Sequence, residues 1–270
     1  MQSPITDSVV LITGASAGIG AELARVVAPR AKAVILLARR EDRLTALAQE
    51  LSGARAEILT VSCDLRNLAD IDAALSRISG RFPHIDVLIN NAGLGDFTLF
   101  RDSNWERVDN MLETNVRALV YLTRKLLPSM LERGRGGVLN VSSGMGMETL
   151  PGFSVYVGTK HFVTGFTESL RLETLGSGVV VSQVCPGPVE TEFAQVSRSP
   201  IEELPGFLRL SARACAEQSI AGFERGKAII VPGALMRVIM AVGQATPRFV
   251  RRGLYGLGAK RVKRLASANK

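Results

Sequence analysis

Short, continuously apolar runs alternate along the chain with longer stretches in which apolar residues recur at helical spacing. Val9 to Ile12, Ala33 to Ala38, Val87 to Ile89, Gly137 to Val141 and Val179 to Val184 read as strands. Ala33 to Ala38 is apolar throughout, as expected for a strand buried on both faces. Glu57 to Ser62 reads as a third strand and Ala228 to Val231 as a last, short one. Helical patterns fill the gaps: Ile19 to Arg30, Glu41 to Leu51, Leu68 to Ile78, Trp105 to Arg133 with Pro128 near its end, Tyr156 to about Leu175, and Ala212 to Phe223. Glu192 to Leu210, which holds Pro200 and Pro205, reads as irregular. This alternation predicts a parallel sheet with helices on both faces, and ligands at the carboxyl ends of its strands.

The first strand runs into Thr13-Gly14-Ala15-Ser16-Ala17-Gly18-Ile19-Gly20 and then a helix. A strand that passes through a glycine turn into a helix builds a phosphate site. Gly14 allows the turn, Gly18 lets the backbone approach a pyrophosphate, and Gly20 lets the helix pack against the strand. The free N–H groups of the helix, Ile19 among them, point at the phosphates. The fold class is therefore α/β, a Rossmann-like doubly wound sheet.

Arg39 and Arg40 follow the second strand. A dinucleotide fold reads the adenosine ribose near here, about 20 residues past the glycines. An acid would bond the 2′-hydroxyl of NAD. Two arginines instead grip a 2′-phosphate through charge-assisted bonds, which favours NADP(H), with the Ser16 hydroxyl as a weaker addition. The alternative is a pair of solvated residues at a helix start. Cys63-Asp64-Leu65 ends the third strand. Asp64 either accepts from the adenine amino group or caps the helix from Leu68. Asn90-Asn91-Ala92-Gly93 ends the fourth strand and suits a wall against a flat ligand, or an ordinary turn.

Ser143 ends the fifth strand, and Tyr156 and Lys160 share one face of the next helix. A phenol with an ordinary pKa of about 10 is a poor base at neutral pH. A nearby ammonium favours the phenolate, so Lys160 is expected to tune Tyr156 for proton transfer while Ser143 holds a carbonyl oxygen beside it. Hydride transfer belongs to a nicotinamide. Asn115 lies inside a helical pattern, where an asparagine usually faces water. Glu148 reads as solvated and His161 as a surface or partly packed residue.

TGASAGIG from Thr13, NNAG from Asn90, Asn115, Ser143, Tyr156 with Lys160, and PGPVET from Pro186 together resemble the short-chain dehydrogenase/reductase family, over residues 8 to 232. The resemblance implies that Tyr156 is the general acid/base, that Ser143 stabilises substrate and that Lys160 also binds the nicotinamide ribose. It implies that Asn115 holds a water leading from Lys160. Leu65, Asn91, Ala92, Gly93, Pro186, Gly187, Val189 and Thr191 would line the cofactor, Val189 and Thr191 at the carboxamide. Ala38-Arg39 resembles the NADP-preferring members, and the family commonly forms homo-oligomers. VGTKH around Lys160 departs locally from the family's usual alanine and serine.

Met145, Met147, Leu150, Phe153 and Phe193 are the expected substrate wall, which suggests a small hydrophobic carbonyl or alcohol substrate. The rival readings are a 3-oxoacyl thioester reductase and a non-catalytic NADP-binding sensor. The complete Asn115, Ser143, Tyr156 and Lys160 set argues against the sensor.

Three separated cysteines show neither metal spacing nor a disulfide framework, and no basic segment precedes the first apolar run. A cytoplasmic enzyme is the expectation. The net charge is +8, yet from Arg225 to Lys270 there are 11 Lys or Arg and no acid. Residues 1–233 are expected to form the catalytic domain and 234–270 a basic helical extension. Phe249, Val250, Leu254, Tyr255, Leu257, Val262 and Leu265 interleave there with cations. That pattern fits contact with an anionic membrane surface, a solvated tail, or a helix covering the active site or a subunit. No nucleic-acid motif accompanies the charge.

Overall fold

The computed structural model describes residues 3–267. Strands β1 (Val9–Thr13), β2 (Ala33–Ala38), β3 (Glu57–Ser62), β4 (Val87–Asn90), β5 (Gly136–Val141) and β6 (Val179–Val184) alternate with helices α1 (Gly18–Val27), α2 (Glu41–Glu50), α3 (Leu68–Ser79), α4 (Trp105–Leu112), α5 (Ala118–Glu132) and α6 (Ser154–Glu173). Then come β7 (Val189–Glu190), α7 (Phe193–Val196), β8 (Leu210–Ser211), α8 (Ala212–Glu224), β9 (Ile229–Ile230), α9 (Ala234–Ala245) and α10 (Arg248–Ser267).

Seven strands form one parallel sheet in the order β3-β2-β1-β4-β5-β6-β9. The strand order reverses between β1 and β4, which opens the crevice where this class of sheet binds ligands. Every residue of β1 and β2 is buried, as their unbroken apolar runs predict. β3 lies at the edge, and only Val61 within it is buried. Successive strand residues face opposite layers. Val10, Ile12, Val34 and Leu36 pack with Leu23, Val27 and Phe223 of α1 and α8. Leu11, Ile35, Leu37 and Leu88 pack with Ile71, Ile78, Leu122 and Met130 of α3 and α5. The strand ends are thus held on a rigid platform.

Two segments differ from their sequence patterns. Trp105 to Arg133 is not one helix: a π-helical turn, Glu113–Arg117, separates α4 from α5. The wider turn carries Asn115 inward, where it is 1% exposed, rather than toward water. The stretch from Glu192 to Leu210 is also better anchored than its prolines suggest. β7 and β8 pair in parallel, Val189 with Leu210, so both ends of the excursion are pinned. Period-based reading misses strands of two residues. No helix among the described residues is long and apolar enough to cross a membrane.

Candidate active site

The glycine loop joins the end of β1 to α1. Gly14 has φ +65°, and a Cβ there would stand 2.8 Å from Ala92 Cα. A Cβ on Gly20 would run into the Gly14 carbonyl and the Asn91 amide. The loop is therefore closed against the end of β4 and leaves its outer side as a cradle. Asn91 staples it: Nδ2 donates to the carbonyls of Thr13 at 2.9 Å and Gly14 at 3.3 Å. The backbone N–H groups of Asn91 and Ala92 donate to Thr13 Oγ1 at 3.0 and 3.1 Å. Asn91 thus acts on the loop through both its side chain and its backbone N–H.

A cavity of about 850 Å³ opens over this loop and the carboxyl ends of the central strands. Its lining brings together Gly14, Ser16, Gly18, Ile19, Gly20, Arg39, Arg40, Asp64, Leu65, Asn91, Ala92, Gly93, Ser143, Tyr156, Lys160, Pro186, Gly187, Val189 and Thr191. Residues far apart in the chain therefore converge on one space.

Tyr156 and Lys160 project from the first turns of α6, and both are buried, at 8% and 4% exposure. The Tyr156 ring packs between Phe153, 5.3 Å away, and Phe193, 5.5 Å away, tilted 49° and 47° to them. Burial pushes its phenol up to about 12, and a hydrogen bond with Ser143 pulls the other way. Lys160 Nζ donates to the Val141 carbonyl at 2.8 Å and stands 5.8 Å from the Tyr156 ring centre. Burial pushes the Lys160 ammonium down to about 8. Desolvation sets the direction for both groups, and the bond to Val141 takes one of the three ammonium protons of Lys160. Ser143 Oγ accepts from Met145 N–H at 3.1 Å and stands within hydrogen-bonding reach of the Tyr156 phenol.

Asn115 clamps the loop after β4. Its Oδ1 accepts from Leu94 N–H at 2.8 Å, and its Nδ2 donates to the Leu94 carbonyl at 2.9 Å and to Thr159 Oγ1 at 3.0 Å. A Cβ on Gly93 would lie 3.4 Å from Lys160 Nζ and 3.6 Å from Asn115 Oδ1. The two polar groups thus flank one small space kept clear by glycine.

At the far end, Arg39 and Arg40 are exposed at the start of α2. Arg40 donates to Ser16 Oγ at 3.2 Å and to Glu192 at 3.1 Å, and Arg43 donates to the other oxygen of Glu192. Asp64 is engaged by Arg66, through Nε at 2.9 Å and the backbone N–H at 3.1 Å, and the Arg66 guanidinium holds its carboxyl below the usual range. The cap of α3 is Asn67, whose side chain accepts from Ala69 N–H at 2.9 Å, not Asp64.

A scan of protein families matches residues 8–202 to the short chain dehydrogenase model. The chain belongs to the short-chain dehydrogenases. An NADP-dependent 3-hydroxy acid dehydrogenase of Salmonella typhi is 38% identical over 73% of this chain and 79% of that relative. A ketoacyl reductase of Nostoc is 31% identical over 92% of this chain and 88% of the relative. Among solved structures, a short-chain dehydrogenase from Sphingobium yanoikuyae in complex with NADPH superposes with a TM-score of 0.80 at 30% identity, covering 92% of this chain and 95% of that one.

The substrate half of this short-chain dehydrogenase contains Met145, Leu150, Phe153 and Phe193 as expected, together with Ile201, Leu204 and Leu208. Met147 is not in the lining; its carbonyl instead accepts from Gln244 Nε2 at 3.0 Å. Of the readings left open for the extension, a helix over the active site is the one its contacts match. Met236, Ile239, Met240 and Tyr255, from α9 and α10, line the same cavity. The segment from Ala234 is therefore packed onto the site rather than simply appended to it. Glu148, read as solvated, accepts from Arg251 at 3.0 Å, from Tyr255 and from Gln244. The signal was present: a lone acid near the site and a tail rich in cations but free of acids. The pairing itself is a long-range contact that no local pattern encodes. His161 is exposed on α6, and its Nδ1 faces the Val157 carbonyl at 3.0 Å. Within the extension, the side chains of Arg248, Leu254, Leu257, Arg261, Val262, Arg264 and Leu265 lie outside the described residues.

Proposed function

We propose that this short-chain dehydrogenase interconverts a carbonyl and an alcohol on a hydrophobic substrate, with NADP(H) as the hydride partner. The observation that carries the reading is a single cavity with two chemically distinct ends. One end has a glycine loop, a helix N-terminus and arginines; the other is apolar and meets Ser143 and Tyr156. Arg39 and Arg40 follow β2, where an acid would read the 2′-hydroxyl of NAD, and with the glycine loop they support a phosphorylated dinucleotide. When bound, the cofactor supplies or accepts the hydride.

The chain's own residues manage the proton and the orientation. Ser143 and Tyr156 hydroxyls hold the substrate oxygen. In reduction, the carbonyl carbon gains the hydride and its oxygen takes the Tyr156 proton, which completes the alcohol. A phenol kept protonated by burial is suited to that direction. Lys160 carries a proton toward the phenol across the space beside Gly93, with Asn115 as its positioning partner. Leu65, Ala92, Gly93, Pro186 and Gly187 wall the cofactor, and Val189 and Thr191 hold its carboxamide end.

Among the described residues, the only cation lining the substrate half is Lys160, and the acid Glu148 stands there as well. A free carboxylate substrate would meet no arginine in that space. This separates the chain's substrate from the hydroxy acid named for its Salmonella relative. A 3-oxoacyl thioester has no such charge at its reacting end, so thioester reduction is the second reading, supported by the ketoacyl reductase relative.

The test is NADPH oxidation by purified protein over ketosteroids, long-chain aldehydes, 3-oxoacyl thioesters and 3-oxo acids, with Tyr156→Phe beside it. Turnover of the neutral compounds that disappears in the mutant supports the reading. A preference for the free acids would overturn the substrate class, and undiminished turnover by Tyr156→Phe would overturn the mechanism.

The remaining proposals concern the whole molecule. Residues 1–233 act as the catalytic body and 234–270 as a basic helical extension that closes it. The enzyme works in the cytoplasm, as a homo-oligomer. The exposed Trp105, Phe162 and Leu172 on α4 and α6 support self-association. The outward Leu235, Val238 and Val242 on α9, beside the exposed Arg237, support contact of the extension with an anionic membrane. Light scattering tests the first and vesicle co-sedimentation the second.

A further inference from the structure

Glu192 and Arg43 belong to no element of the reaction described above, yet they meet at the adenosine end of the cavity. Glu192 follows Thr191 on the segment after β7, whereas Arg40 and Arg43 lie at the start of α2, across the cofactor crevice. One Glu192 oxygen takes Arg40 at 3.1 Å, the other takes Arg43, and Arg40 also reaches Ser16 Oγ. Three groups suited to a 2′-phosphate are thus gathered around an acid supplied by the chain itself.

We propose that the Glu192 carboxylate is a built-in competitor for the 2′-phosphate, so that NADP(H) binds only by displacing it from Arg40 and Arg43, while NAD(H) leaves it in place. This deepens the cofactor reading and rests on it. The chemistry favours exchange. Carboxylate and phosphate both take the guanidinium fork, and a phosphate brings more charge and a third oxygen. The side chains of Arg40, Arg43 and Glu192 are 43%, 42% and 45% exposed, so the existing pairs are weak enough to yield. Displacement also frees Glu192, the neighbour of Thr191 in the cavity lining.

The experiment is fluorescence titration of the full chain with NADPH and with NADH, without substrate, for the wild type and for Glu192→Gln, Arg40→Gln, Arg43→Gln and Arg39→Asp. Glu192→Gln is expected to tighten NADPH about fivefold and to leave NADH unchanged. Adding Arg40→Gln and Arg43→Gln should abolish that gain. Equal weakening of both cofactors by Glu192→Gln would make Glu192 a strap and overturn the proposal. If Arg39→Asp, Arg40→Gln or Arg43→Gln lowers the NADPH preference and Glu192→Gln does nothing, the competitor role falls and the cofactor reading stands. If none of the arginine changes alters the ratio, both fall.

Discussion

The Glu148 carboxylate accepts a hydrogen bond from the Arg251 guanidinium at 3.0 Å, and so ties α10 to the loop that precedes the helix carrying Tyr156 and Lys160. The two side chains are 15% and 17% exposed, and the Tyr255 hydroxyl donates to the same carboxylate. The bond is sheltered and charge-assisted, worth about 1.5–3 kcal/mol. Arg251→Ala removes it and leaves Glu148 with its weaker partners. The expected outcome is a roof that opens: KM for a bulky ketone rises about tenfold, NADPH affinity holds, and amide exchange quickens in α10. Unchanged exchange and unchanged KM would show that the roof is held elsewhere.

The space beside Gly93 gives a second prediction. A Cβ there meets Lys160 Nζ at 3.4 Å and Asn115 Oδ1 at 3.6 Å, both ordinary contacts, and the backbone has no positive φ to strain. Gly93→Ala should therefore fold and bind cofactor normally. It fills the site where a water would join the two polar groups. Turnover is expected to fall about tenfold or more, in line with one impaired proton transfer. Binding of NADPH, followed by fluorescence, separates this from a damaged cradle.

Burial of two ionisable groups makes stability depend on pH in opposite directions. Lys160 is pushed down to about 8 from 10.5. Between those values the unfolded chain holds the extra proton, so Lys160 makes stability rise with pH. Tyr156 is pushed up to about 12 from 10.0, so between those values the folded chain holds the proton and stability falls. The buried thiols of Cys63, Cys185 and Cys215, also near 12, lower stability from about pH 9 upward. The Lys160 contribution is isolated by subtraction. In urea melts from pH 7 to 10.5, the wild type minus Lys160→Met should gain stability steadily above pH 8. A flat difference would place the ammonium in a better solvated state than its 4% exposure indicates.

The sheet was largely legible because its signals are local. The apolar run Ala33–Ala38 and the valine-rich Val179–Val184 read as strands and are buried, apart from half-buried Val180. The glycine spacing and the positions of Ser143, Tyr156 and Lys160 likewise placed one cavity. What escaped depends on distance in the chain. Glu148 is 103 residues from Arg251, and Arg40 is 152 from Glu192. No periodicity within one element reports such pairs. For Asn115, helix propensity alone points to water, because it describes an isolated helix, and only the family resemblance gave the residue a place in the site. Here its amide is satisfied by the Leu94 backbone, which draws the chain into a π turn.

Met240 decides whether the extension belongs to the substrate site. It lies on α9, is 6% exposed, and its terminal methyl abuts Gly144, the residue after Ser143. Met240→Ala removes a wall next to the hydroxyl pair that would hold the substrate oxygen. The change costs about 2–3 kcal/mol of stability if the cavity stays open. It should also shift preference: kcat/KM for ketones branched on both sides of the carbonyl rises relative to a linear aldehyde. The opposite face of the same helix supplies the control. Val238 is 61% exposed and absent from the cavity lining, so Val238→Ala should alter neither preference nor stability appreciably. A stability loss in Met240→Ala without any change in preference would make α9 a packing element alone, and the substrate site would then end at the loop from Phe193 to Leu208.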